Sequence, residues 1–315
     1  MLERVANPAN GIRTAPANRD WEAVLTTWSS SPSPSEVQRA ENAEAMIRSA
    51  IRNSPKLQNR NIKVFTQGSY SNRVNVRKDS DVDIGVLCYD AFFPDYPDEN
   101  VKAFRKSFDV SATYTYATFK NEIEEALVAK FGRSSVKRGF KSFDVSENTY
   151  RVEADVVAFF EHRRYSSDTN FLSGVEMIPD NYQPLMIRNW PAQHYSNGVL
   201  KNSQTAKRFK RSVRIIKSLS NEMSSKGISS AGRTASFLIE CLVWNVPNHV
   251  FERQTYWSLT RDVLAWLFNN TLADDKCGYW GEVSELKYLF RSSQPWTRQT
   301  AHQFISDAWD YVGFK

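Results

Sequence analysis

Three cysteines in 315 residues, Cys88, Cys241 and Cys277, are too few and too widely spaced for a disulfide framework or a zinc ribbon. That usage fits a reducing compartment, so a cytoplasmic protein is expected. No apolar run approaches the ~20 residues that a membrane-spanning helix needs. Met1 is followed by Leu2-Glu3-Arg4 instead of an apolar segment, and no secretory leader is expected. Internal repeats and low-complexity tracts are lacking too. Neither sign of charge dominates: 41 basic against 35 acidic side chains leave +6. That small excess suits a protein that handles nucleoside triphosphates and does not demand a long nucleic acid.

What is present is an ordinary globular composition, 41% hydrophobic and 24% charged, over a length that predicts two domains or one bilobal unit. Residues 1–19 are polar and rich in Asn, Ala and Pro, and read as an irregular arm. Trp21, Val24, Leu25 and Trp28 then recur at helical spacing. Ser-Pro-Ser-Pro at 31–34 breaks the chain, and Pro34 opens a second helix to about Ile51, with Val37, Ala40, Ala43, Ile47 and Ile51 on one stripe. Strands are predicted at 62–65, 82–88 and 150–160, with shorter pieces near 134–144 and 174–178, and a helix over 114–130. Beyond Pro191 the pattern is helical, near 204–222, 233–246, 258–270 and 299–312. A mixed α/β part over 20–185 thus precedes a helical part over 186–315.

The stretch that carries chemistry is Gln67-Gly68-Ser69-Tyr70, ten residues, then Asp81-Val82-Asp83-Ile84-Gly85-Val86. Asp81 and Asp83 are two apart in an apolar run, so on a strand both carboxylates emerge on one face, roughly 6–7 Å apart. Such a pair can hold the two cations, roughly 3.5–4 Å apart, of two-metal phosphoryl transfer. Hard carboxylate oxygens are the ligands that Mg²⁺ prefers. Gly68 permits close backbone approach, and Ser69 offers a hydroxyl and an N–H at a predicted helix start. Alone, a D-x-D more often marks a solvated strand end or a calcium loop. The upstream Gly-Ser and a third carboxylate change the balance. That third group is Asp155, inside the apolar run Val152-Glu153-Ala154-Asp155-Val156-Val157, where a charge is costly unless paired or bound to metal. Glu153 shares its parity but lies nearer the polar end and reads as a solvated edge carboxylate. Asp79 shares parity with Asp81 and is read as outside the cluster.

With these residues in view, the chain resembles the polymerase-β-like nucleotidyltransferases, on the Gly68-Ser69 pair, Asp81-Val82-Asp83 and the late Asp155. The helical second half resembles the branch of oligoadenylate synthetase and cyclic GMP–AMP synthase. The stretch Asn189-Trp190-Pro191-Ala192-Gln193-His194, Asn197-Gly198 and the basic helix after it are similar to the bacterial cGAS/DncV-like enzymes. The resemblance covers about residues 20–310. It implies an α+β fold, a mixed-sheet nucleotidyltransferase core with a helical C-terminal lobe of the oligoadenylate-synthetase type. It also implies synthesis of cyclic oligonucleotide signals in anti-phage defence. Asp81, Asp83 and Asp155 would be the catalytic and metal-binding residues, on two Mg²⁺ ions with Mn²⁺ as substitute. UTP and ATP would be substrates, without a membrane or an obligatory nucleic acid, since the Cys/His zinc insertion of the animal DNA sensor is lacking. Regulatory protein partners from a defence operon would fit the same resemblance.

Further site residues follow by matching. On the helix over 204–223, Phe209, Val213 and Ile216 share one face, while Lys210, Arg214 and Lys217 share another roughly 100° away. The plain reading is a solvated basic face; the resemblance assigns Arg214 and Lys217 to the donor triphosphate. Ser236-Phe237 matches a pair that contacts phosphate and stacks on the donor base, with Phe237 as helix core the alternative. Asn189 falls where relatives set a side chain against the base, and a carboxamide complements the N3–H and O4 edge of uracil. Asn197 and Asn202 are nearby alternatives, and His194 reads as a helix-packing residue. A pyrimidine-containing cyclic dinucleotide is the expected product. The alternatives are an RNA nucleotide-adding or protein-nucleotidylating enzyme on the same core, or a catalytically inactive nucleotide-binding module.

Overall fold

The computed structural model describes residues 18–76, 81–106, 113–167 and 169–314. Nearly all of the expected N-terminal arm, and Asp79, lie outside them. In chain order, α1 (Trp21–Ser29) is capped by Asp20, whose carboxylate accepts from the Ala23 N–H. Helix α2 (Pro34–Arg52) starts on a capping box: Ser33 and Glu36 exchange backbone-to-side-chain bonds, and Pro34 fills a position where a missing N–H costs nothing. Strand β1 (Ile62–Gln67) runs into the single turn α3 (Gly68–Ser71), and β2 (Val82–Asp95) follows. Next come α4 (Glu99–Lys106) and α5 (Tyr116–Phe131), the latter started by the Thr115 hydroxyl and ended by Gly132 at φ 84°. The strands β3 (Val136–Arg138), β4 (Phe143–Val145), β5 (Ala154–Tyr165), β6 (Phe171–Met177) and β7 (Ile187–Asn189) complete the sheet. Helices follow: α6 (Pro191–Gln204), α7 (Arg208–Ser225), α8 (Ser229–Gly232), α9 (Ser236–Asn245), α10 (Tyr256–Asn270), α11 (Asp274–Cys277) and α12 (Arg298–Val312). Among the described residues no helix is long and apolar enough to cross a membrane.

The sheet has the order β1-β2-β5-β4-β3, with β6 and then β7 attached through β5. Among the described residues only β2 and β5 pair in parallel. Strand β5 therefore has β2 along one edge and, along the other, β4 at its start and β6 at its end. Ala43, Ile47 and Ile51 of α2 and Phe119, Ile123 and Leu127 of α5 share a core with Ile84, Val86, Val156 and Ala158.

The chain forms two compact units. The sheet unit holds Ser33–Ser71 and Asp79–Ala192. Of the described residues, the helical unit holds 18–32, 72–76 and 193–314. Two corrections to the expected boundaries result. The border falls after Ala192, not 185, because β7 pairs with β6 and stays with the sheet. Helix α1 joins the helical unit, where Trp21 and Leu25 are buried with Phe209, Val213 and Leu219. Two elements also shift. Strand β5 spans 154–165, not 150–160, and α6 is a helix that the apolar period does not announce. Its buried residues are His194, Gly198 and Lys201, a stripe without large hydrophobics.

Candidate active site

The carboxylates of the sheet unit form a row across three strands. Asp83 of β2 is the register partner of Asp155 on β5, and Asp155 is the register partner of Asp144 on β4. Register partners on adjacent strands point to the same face, with backbones ~4.8 Å apart. Asp81, exposed and one residue ahead of β2, shares that face by the two-residue period. The opposite parity is apolar: Val82, Ile84, Ala154 and Val156 are sealed, while Asp83 and Asp155 are half-buried. The Val82 N–H donates to the Glu153 carbonyl at 3.0 Å and locks the two strand starts side by side. Glu153 itself is exposed, in keeping with an edge carboxylate.

The row is electrostatically expensive. Burial pushes the Asp155 carboxyl up to about 7, and the negative charges of Asp83, Asp144 and Asp81 add to the shift. Gly68 lies directly against Asp83: a Cβ at position 68 would stand 2.0 Å from Asp83 Oδ2, and φ is +66°. Only glycine fits both the conformation and the space. Ser69 follows, half-buried, in the single turn α3. Among the described residues no three His, Cys, Asp or Glu groups yet converge as the ready-made ligands of one ion. The mutual repulsion around Asp155 and the side-chain-free cradle at Gly68 are nevertheless what a divalent cation relieves and needs, so the residues fit magnesium in charge and donor type.

In the helical unit the basic stripe of α7 is not solvated: Lys210, Arg214 and Lys217 are 7%, 5% and 3% exposed. Arg214 is bonded to backbone carbonyls. Its Nε and one Nη donate to the Ser29 carbonyl at 2.9 and 2.6 Å, and its other Nη to the Arg73 carbonyl at 2.7 Å. It thus satisfies the carbonyl that ends α1, a structural role beside the triphosphate contact expected of it. Lys210 and Lys217 both lower the proton affinity of Glu240, a sealed carboxylate whose strongest partner is His194 Nε2 at 2.9 Å. His194 therefore packs, as its position suggested. Ser236 and Phe237 open α9 on the exposed side. The Phe237 ring, 36% exposed, has centroids at 5.8 Å to His194 and 6.1 Å to Trp296, so it is an open platform, not core.

The comparisons with known proteins agree with this geometry. The family model of the cGAS/DncV-like nucleotidyltransferase C-terminal helical domain matches residues 196–313. The cyclic dipyrimidine nucleotide synthase CdnE of Cecembia lonarensis is 41% identical, over 93% of this chain and 98% of that one. Its namesake from Legionella pneumophila is 42% identical over the same shares. This chain belongs to the cGAS/DncV-like nucleotidyltransferases. The solved structure of the Elizabethkingia meningoseptica CdnE cyclic dinucleotide synthase with GTP and Apcpp matches at a TM-score of 0.77 and 34% identity, covering 93% of this chain and 99% of that one.

Within this cGAS/DncV-like nucleotidyltransferase, the candidates for base contact separate. Asn197 Nδ2 donates to the Val283 carbonyl at 2.9 Å, and Asn202 Oδ1 accepts from the Lys210 N–H at 3.1 Å, so both carboxamides bond to backbone of the helical unit. Asn189 ends β7 in the sheet unit, opposite Val175 and half-buried. Asp144 is the residue that sequence reasoning missed. Its local signal, a carboxylate alternating with Phe143 and Val145, is the same as that of Asp155, but the run is only three residues long.

Proposed function

We propose that this nucleotidyltransferase joins two nucleoside triphosphates into a cyclic dinucleotide that contains uridine, releasing pyrophosphate at each bond. The observation that carries the reading is the Asp83–Asp155 pair on adjacent parallel strands, with Gly68 packed on the Asp83 carboxylate. Asp81 and Asp83 would hold two Mg²⁺ ions, or Mn²⁺ in their place, with Asp155 on one of them; bound, these ions neutralise the triphosphate and acidify the acceptor hydroxyl. Asp155 helps the acceptor 2′- or 3′-hydroxyl lose its proton. The freed oxygen attacks the α-phosphorus in line, and a second round closes the ring. Ser69 binds phosphate through its hydroxyl and N–H. In the helical unit Lys217 supplies phosphate charge, Ser236 a hydroxyl, and Phe237 a stacking face that accepts any base.

Base choice then falls to groups that reach a base edge. Asn189 can match the alternating donor and acceptor of uracil, and a wrong base leaves its polar groups unpaired, at roughly 1–3 kcal/mol per group. The names of the Cecembia and Legionella relatives, both dipyrimidine synthases, favour UTP. The test is to incubate pure enzyme with Mg²⁺ and labelled nucleoside triphosphates, singly and in pairs, and to identify products by mass. Asn189→Ser should relax the preference toward purines while turnover persists. An enzyme that ignores UTP refutes the uridine assignment. Nuclease-treated enzyme should be fully active; silence until a polynucleotide is added would refute independence from nucleic acid. A signalling role in anti-phage defence, with operon-encoded partners, predicts that cells expressing the intact operon resist phage and that Asp83→Asn abolishes that resistance.

A further inference from the structure

The far end of β5 carries a second buried charged network that the chemistry above does not use. His162 is fully buried, with Nδ1 2.8 Å from Glu176 Oε2, and Glu176 is itself 2% exposed. Arg188 donates to the same Glu176 oxygen through Nε at 3.0 Å and to Asp95 Oδ2 through an Nη at 3.2 Å. The His162 ring meets Trp190 edge-on with centroids 5.4 Å apart, and the Arg164 guanidinium lies 4.1 Å from the Trp190 centroid. Position 174, the register partner of His162, is glycine. A Cβ there would stand 2.7 Å from Trp190 Nε1 and 2.8 Å from the Asn189 carbonyl oxygen.

Asn189 lies between these two anchored neighbours. Arg188 before it is bonded to Glu176 and Asp95, and Trp190 after it is wedged between His162, Arg164 and the bare backbone of Gly174. The strand that presents it, β7, is only three residues long and pairs with β6 through Val175–Asn189, Glu176–Arg188 and Met177–Ile187. So short a strand has few ladder bonds to hold it. Discrimination between base edges requires the selecting group to stay within ~0.5 Å of its productive place. We propose that Gly174, His162, Glu176 and Arg188 form a positioning device that fixes the Asn189 carboxamide and thereby sets base choice. The proposal rests on the assignment of Asn189 made above. None of the four residues is assigned contact with substrate; they act through Asn189.

The experiment compares kcat/KM for UTP with that for ATP in wild type, Gly174→Ala, Glu176→Gln, Arg188→Lys and Asn189→Ser, with circular dichroism as the fold control. Gly174→Ala and Glu176→Gln should each reduce the UTP preference roughly tenfold, the scale of one lost hydrogen bond. Arg188→Lys, which keeps the charge but not the forked geometry, should reduce it less. A merely structural network would lower turnover with every nucleotide equally and leave the ratio alone. Folded variants with the wild-type ratio, beside an Asn189→Ser enzyme whose ratio has moved, overturn the positioning role and spare Asn189. A ratio unmoved by Asn189→Ser overturns the assignment of Asn189 and the positioning role together. Should Gly174→Ala fail to fold, Glu176→Gln and Arg188→Lys, which conserve volume, decide the question by the same ratio.

Discussion

The two ends of β5 handle buried charge in opposite ways. At its start, Asp155 has carboxylates for neighbours on both adjacent strands, Asp83 and Asp144, and Asp81 adds a further negative charge. Seven residues on, roughly 23 Å along the strand, His162 meets Glu176, and Glu176 and Asp95 are matched by Arg188 and Arg164. The balanced end is complete within the chain. The unbalanced end costs folding free energy, and on the proposed function that cost is the one a bound divalent cation would offset. Buried charge alone therefore says little about function; its balance says more.

Breaking the unbalanced end should have the largest effect. Asp83→Asn removes a proposed metal ligand from the row, and product formation should fall by roughly three orders of magnitude or more, since metal ligation is worth several kcal/mol in the transition state. Pyrophosphate release beside an unchanged circular dichroism spectrum is the measurement, and near-normal turnover would refute the assignment. Next in size is Gly68→Ala. Its methyl must displace the Asp83 carboxylate, and a shift of about 1 Å can cost on the order of 100-fold in rate. The same assay reads it, and a rate within twofold of wild type would mean that the carboxylate is free to yield.

A buried charge of the helical unit, hydrogen-bonded to backbone carbonyls, gives a further case. Arg214→Met leaves the Ser29 and Arg73 carbonyls without their guanidinium donor, so stability to denaturant should drop by about 1–3 kcal/mol. The KM for nucleotides should hardly change. A large rise in KM at unchanged stability would favour the triphosphate role for Arg214.

The smallest effect is on the pH dependence of the metal-free protein. The carboxyl of Asp155 is raised in the folded state, so its contribution to stability is fully present below the ordinary value of 3.8 and is lost as pH climbs through about 7. Asp155→Asn removes this term. Melting curves without metal should therefore show the variant gaining on wild type as pH rises from about 4 to about 7, by about 1–2 °C for each kcal/mol involved. A difference that does not vary with pH would mean that the carboxylate row does not repel as its register implies. Mg²⁺ should stabilise wild type most at high pH, where Asp155 is ionised.

Much of the site was legible because it is local. A two-residue period puts Asp81 and Asp83 on one face whatever the partner strands are, and the Gly-Ser turn lies a short loop upstream. The helices with strong caps were legible too, as at Ser33-Pro34 and Thr115. Helix α6 was not, because the residues it buries are His194, Gly198 and Lys201, which no apolar period marks. Phe237 could not be placed from its own neighbours, since a helix start reads alike whether the ring faces core or solvent.

What the sequence by itself determined is therefore the set of candidate residues: carboxylates in apolar strands, an upstream Gly-Ser pair, and a helical second half. Only the tertiary structure decided which partners those residues have. Asp144 becomes part of the carboxylate row through the register of β4 on β5, across a turn and a loop that carry no sign of it. Arg214 gains a partner that its own neighbours do not announce, the Ser29 carbonyl of α1, some 185 residues earlier in the chain. His162, Glu176 and Arg188 each look like ordinary strand residues until three antiparallel segments bring them together. The reason is common to all three. Side-chain direction follows from backbone period, which is local, whereas the pairing of a buried charge follows from strand register and helix packing, which join residues far apart in the chain.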